Sequence, residues 1–198
     1  MSKMSKAAFF LAAAVAAGCA SQQVQTQGAL AVPDKLVPDA SQTLAMVLPA
    51  GGVQIYECRE KKAGAGEYEW QFVAPEADLY DAHGTKVGHH YAGPHWESAD
   101  GSRIVGTLKE RVDAPSAGAI PWLLLTAKSV GPRGSFSDVT SVQRVHTAGG
   151  IAPGSGCSRA TAGAQARVNY TADYYFYAPK APAAQASRDS DFGVSPGY

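Results

Sequence analysis

The chain of 198 residues carries 17 Lys and Arg against 17 Asp and Glu and is formally neutral at pH 7. It has no long basic run and no face interleaving aromatic and basic residues, which argues against reading a phosphate backbone and predicts no nucleic-acid partner. With 45% hydrophobic residues it is long enough for one domain with a proper core and cramped for two.

Lys3 and Lys6 precede an apolar run from Ala7 to Ala17 that ends in Gly18-Cys19. This layout predicts a secretory signal peptide over 1–18, because the apolar run is far shorter than the roughly 20 residues a membrane-spanning helix needs. Ala16-Ala17-Gly18 before Cys19 resembles a lipobox, with Ala16 where Leu is usual. Cys19 is therefore the expected lipidation site, and Ala20-Ser21, with no Asp beside the cysteine, predicts an outer-membrane lipoprotein. The alternative is a secreted or periplasmic soluble protein. In the lipoprotein reading the membrane is a partner through the lipid anchor. Residues 19–29 are expected to form a flexible tether and 180–198, rich in Ala, Pro and Ser, a disordered tail. The folded domain is expected over 30–179.

Once Cys19 carries lipid, Cys58 and Cys157 remain as an even pair in an oxidising compartment, which predicts a disulfide. Two separately buried thiols are the other reading. No Cys-x-x-Cys spacing suggests a redox-active pair.

Within the domain the pattern is β. Val53-Gln54-Ile55-Tyr56-Glu57 alternates with Val53 and Ile55 on one face, and Tyr68, Trp70 and Phe72 alternate with Glu69 and Gln71. The Lys61–Gly66 segment between these runs predicts a hairpin. A second hairpin is expected around Ala82-His83-Gly84-Thr85, with Gly84 left-handed. Ile104, Leu108 and Val112 are expected on the core side of one strand. Pro121–Lys128, nearly all apolar, reads as a strand covered on both faces. Val139–Val145 and Val168–Tyr177 complete a set of about eight or nine strands. The fold class is all-β, a single antiparallel β-sandwich or closed β-barrel, and the pattern leaves both open.

Several segments together carry a resemblance. They include Gly88-His89-His90-Tyr91-Ala92-Gly93-Pro94-His95-Trp96-Glu97, Ile120-Pro121-Trp122, Gln143-Arg144-Val145, Gly156-Cys157 and Tyr170-Thr171-Ala172-Asp173-Tyr174-Tyr175-Phe176-Tyr177. In this order the chain resembles a family of exported bacterial and fungal proteins classed as a domain of unknown function. The resemblance spans about 30–178 and implies one exported domain with no established activity, substrate or cofactor. No Gly-x-Gly-x-x-Gly opens a helix after a strand, so no dinucleotide fold and no cofactor is expected.

His83, His89, His90 and His95 form the densest imidazole cluster. Imidazole is a good zinc or copper ligand, but His89 and His90 are adjacent and point to opposite faces of a strand. No metal site is expected. A second group, His90, Trp96, Glu97, Asp100 and Ser102, is the candidate ligand-binding set, with Trp96 stacking on a flat ligand and the carboxylates orienting it. Ser102 and His90 supply residue types for serine catalysis, but no Gly-x-Ser-x-Gly elbow exists and no catalytic residue is assigned. Of Gln143 and Arg144 one faces inward. An inward Arg144 needs a charged partner, with Asp173 available, or marks an anion or carboxylate site.

The expected function is that of an envelope-anchored lipoprotein whose β-domain is a binding or structural unit. Its partners are a small ligand, a glycan or an envelope protein, met through the Gly88–Ser102 loop. The alternative is a hydrolase or metal-assisted enzyme centred on His90 with Glu97 or Asp100. A cavity gathering His90, Trp96 and Arg144 would favour binding or catalysis over a purely structural role.

Overall fold

Apolar and polar side chains alternate along most of this chain, and the backbone follows that period of two into strands. The computed structural model describes residues 32–64 and 66–181. The expected signal peptide, Cys19, the tether and the tail beyond 181 lie outside the described residues.

Among the described residues eight strands occur in chain order: β1 (Gln42–Glu60), β2 (Tyr68–Tyr80), β3 (Lys86–Tyr91), β4 (His95–Ser98), β5 (Arg103–Val112), β6 (Trp122–Ser129), β7 (Ser141–Gly149) and β8 (Gln165–Pro179). Each pairs antiparallel with the next, and β8 pairs back along β1, so the sheet closes on itself. Of the two architectures left open, the closed ring is the one formed. It is irregular, with register shifts such as those at Ile55/Tyr56 and Leu108/Glu110. Both expected hairpins form, and Gly84 has a φ of 77° at the tip of the second.

Three expectations change. β1 begins at Gln42 rather than near Val53, carrying Pro49 and Gly51-Gly52 inside the strand. These residues read locally as breakers, yet long pairing with β8 holds them extended. A Cβ on Gly52 would lie 2.1 Å from the Glu76 carbonyl oxygen, so the close approach of β1 to β2 requires glycine there. His95–Ser98, read as loop, is a short strand. Leu108, expected on the core side with Ile104, is 56% exposed.

The last correction has a topological cause. β3 pairs with β2 only over Ala77–Tyr80, and β4 pairs with β5 only over Arg103–Val105. Among the described residues, the β2 edge over 68–76 and the β5 edge over 107–112 therefore have no strand beside them. Short β3 and β4 close the ring at one end and leave a lateral seam at the other.

The interior is filled by Leu79, Trp96, Ile104, Val142, Tyr174 and Phe176, all nearly inaccessible. Phe136, from the connection between β6 and β7, stacks on Phe176 at 4.9 Å. That connection is clamped by Asp100, whose carboxylate accepts from the backbone and hydroxyl of both Ser102 and Ser135 at 2.6–2.8 Å. Outside the ring, Leu36 of a single 3-10 turn (Asp34–Leu36) packs on Trp122, Leu124 and Val145, and Gln143 Nε2 donates to its carbonyl at 2.6 Å. This explains why β6 is apolar on both faces. The expected disulfide joins Cys58 in β1 to Cys157 in the loop between β7 and β8.

Candidate ligand-binding site

The period of two at His89-His90 sends His90 inward and leaves His89 outside. His90 faces Trp96 across the β3–β4 pair, and the rings stack at 4.3 Å with planes 12° apart. Tyr174 of β8 meets both edge-on, at 5.1 Å from His90 and 5.5 Å from Trp96. Gly106 in β5 makes room for this indole, since a Cβ there would stand 2.8 Å from Trp96 Cζ3.

His90 Nδ1 lies 2.7 Å from the His95 carbonyl oxygen. A carbonyl only accepts, so Nδ1 carries the proton and Nε2 presents a bare lone pair. Burial pushes the His90 pKa down to about 3, against the opposing pull of the His95 carbonyl and helped by the Arg144 charge. The imidazole is therefore neutral across the physiological range.

Arg144 is the inward member of Gln143-Arg144, set between Leu123 of β6 and Tyr174 of β8. Its Nε and Nη2 donate to the Pro121 carbonyl at 3.2 and 2.8 Å. Among the described residues no carboxylate forms an ion pair with it. The expected partner, Asp173, instead holds His146 Nδ1 at 2.8 Å, which corrects the Arg144–Asp173 pairing. The reason is register: Arg144 is opposite Tyr174, whereas Asp173 is opposite Val145 and turns to the other face. A bulge after Val145, where His146 takes a φ of 52°, brings His146 to Asp173.

Buried phenols surround Arg144. Burial raises the pKa of Tyr56, Tyr170 and Tyr174, and Arg144 opposes that shift in each case. The Tyr170 and Tyr174 hydroxyls lie 3.3 Å apart. A cavity of about 250 Å³ is lined by His90, Trp96, Arg144 and Tyr174 together with Leu123 and Leu125. Phe72, Val73 and Pro75 of β2, Gly93-Pro94 of the β3–β4 turn, and Leu108 of β5 also line it, at the seam between the two unpaired edges.

Of the candidate set, then, His90, Trp96 and Arg144 come together, and Glu97, Asp100 and Ser102 do not join them. Glu97 follows inward Trp96 and so faces outward, accepting from Tyr91 Oη at 2.7 Å and from Arg103. These contacts, Tyr91 foremost, hold its pKa low. Asp100 is committed to its serine clamp, which holds its carboxyl far below the usual range. Ser102 Oγ donates to Asp100 and accepts from the Phe136 amide at 3.1 Å, and the residue is fully buried and does not line the cavity. His95 Nδ1 donates to the Ala92 carbonyl at 2.6 Å. Among the described residues no three His, Cys, Asp or Glu are placed to hold a metal.

Sequence reasoning missed Tyr174 as a cavity wall and Phe72, Val73 and Leu108 as its lip. Tyr174 could have been found from its place in the β8 alternation. The lip could not, because it depends on the lengths of β3 and β4.

No curated protein and no solved structure matches this chain. A family described as "Protein of unknown function (DUF3455)" matches residues 38–178, the greater part of the chain and nearly all of the barrel. The ordered motifs from β1 to β8 and this match agree, and the chain belongs to that family.

Proposed function

We propose that this barrel is a small-molecule-binding domain, carried on a lipid anchor at Cys19 in the bacterial envelope. The observation that carries the binding reading is one cavity that gathers His90, Trp96 and Arg144 behind an apolar lip. Aromatic and aliphatic walls with a few convergent polar groups are the usual make-up of a ligand site. The enzyme reading, by contrast, needs Glu97 or Asp100 beside His90, and both carboxylates are engaged elsewhere.

Titration with the neutral dye N-phenyl-1-naphthylamine tests the binding reading. A saturable fluorescence gain at one site is expected, with a Kd on the order of 10 µM. Substitution Phe72→Glu at the exposed lip should weaken it severalfold. A purely linear signal from the wild-type domain would overturn the reading. For the anchor, Cys19→Ser should move the protein from the membrane fraction to the soluble one; continued membrane retention of that variant would remove lipidation from the proposal.

A further inference from the structure

We infer that the cavity selects a single-chain monocarboxylate, its carboxylate on Arg144 and its apolar chain running toward the seam. This rests on the binding reading above and adds the chemical class of the ligand.

A guanidinium stays charged in any protein environment. Arg144 places that charge on the wall of a cavity whose other lining residues are uncharged. Its polar contacts are the Pro121 carbonyl and the Tyr174 hydroxyl, both neutral. Two of its five N–H groups are held by Pro121, which fixes the plane of the fork, and its further N–H groups remain to meet Tyr174 and a ligand. Arg144 is half-buried, and partly desolvating a cation without a counter-charge is costly, so an anion in the cavity would relieve that imbalance. A planar carboxylate matches the guanidinium fork with charge-assisted hydrogen bonds.

The charge to be balanced is one. Arg144 is the single ionised side chain among the lining residues, and neutral His90 has its only N–H spent on His95. A phosphate monoester would bring up to two charges and further oxygens that bare His90 Nε2 cannot serve. This favours a carboxylate over a phosphate.

The lip explains the rest of the ligand. Phe72, Val73 and Leu108 are 54%, 41% and 56% exposed, and they belong to the few large apolar side chains left in water among the described residues. They stand on either side of the seam, where no strand among the described residues covers them. A ligand with an apolar chain would cover this patch, which a small polar anion would not. The modest volume, below the roughly 300–1,000 Å³ of drug-sized sites, suits a chain of medium length.

Calorimetry of the wild-type domain at pH 7 with decanoate, decanol, decylammonium and decyl phosphate tests the assignment. Decanoate is expected to bind about 10-fold or more tightly than decanol, with decylammonium weakest. In Arg144→Gln, decanoate should fall to the level of decanol. Equal affinity for decanoate and decanol in the wild type would overturn the carboxylate assignment while leaving a ligand site. Tighter binding of decyl phosphate than decanoate would also overturn it, in favour of a phosphate head. Should all four ligands and the neutral dye fail to bind, the binding reading itself falls. If Arg144→Gln does not fold, the order of the four ligands on the wild type decides alone.

Discussion

Removing the Cys58–Cys157 bond, by reductant or by the double substitution Cys58→Ser with Cys157→Ser, is expected to lower unfolding free energy by about 4 to 5 kcal/mol. The bond closes a loop between residues 99 apart in sequence, and a loop of that length restricts the unfolded chain strongly. Native contacts at the site do not vanish with it. Trp70 Nε1 still donates to the Ser155 carbonyl and Tyr56 Oη to the Gly150 carbonyl, so the loop keeps two other ties to the barrel. The effect should therefore appear mainly through the unfolded state, with a folded spectrum retained at low denaturant. Urea unfolding followed by tryptophan fluorescence measures it. A loss under about 1 kcal/mol would mean that native strain or residual structure in the reduced chain cancels the loop term.

Stability is also expected to fall by about 2 kcal/mol between pH 6.5 and pH 5, because of His90. An unfolded imidazole takes up a proton below about 6.5, whereas in the fold burial holds His90 neutral down to about 3. Across that window the unfolded state binds more protons, so stability is full above 6.5 and declines as pH falls. Carboxylates with lowered pKa values, such as Glu97 and Asp100, act at lower pH, beneath their ordinary 4.5 and 3.8. Carboxylates thus contribute little between pH 7 and 5, and a variant that removes His90 while keeping the other four histidines assigns the slope to it. Substitution His90→Asn keeps a donor toward the His95 carbonyl and removes the titration. Urea midpoints for that variant should be lower throughout, because the stack on Trp96 is lost, but nearly flat with pH over this range. A wild-type midpoint that does not move between pH 7 and 5 would contradict the neutral, buried His90.

How much of the site was legible can be judged residue by residue. Adjacency alone separated His89 from His90, and Gln143 from Arg144, since neighbouring side chains on a strand must face opposite ways. It did not say which member of each pair points inward. The set His90, Trp96, Glu97, Asp100 and Ser102 is close in sequence, but alternation splits it: Trp96 enters the core and Glu97, next to it, leaves. The Arg144–Asp173 pairing failed because a bulge in β7 and the register with β8 decide that contact, and neither has a local signal. Leu108 failed for a related reason, as its exposure depends on where β4 stops.

By itself the sequence determined most of the strands, though not β4 or the first half of β1, together with both hairpin turns and the family motifs, and it favoured the pairing of Cys58 with Cys157; these rest on period, turn chemistry and residue count. Strand pairing at long range decided the rest. Closure of β8 onto β1 selected a ring over two stacked sheets. The shortness of β3 and β4 opened the seam, and closure brought Arg144 into one cavity with His90 and Trp96. Local alternation assigns a side chain to one face of its strand, but only the closed sheet makes one of those faces an interior.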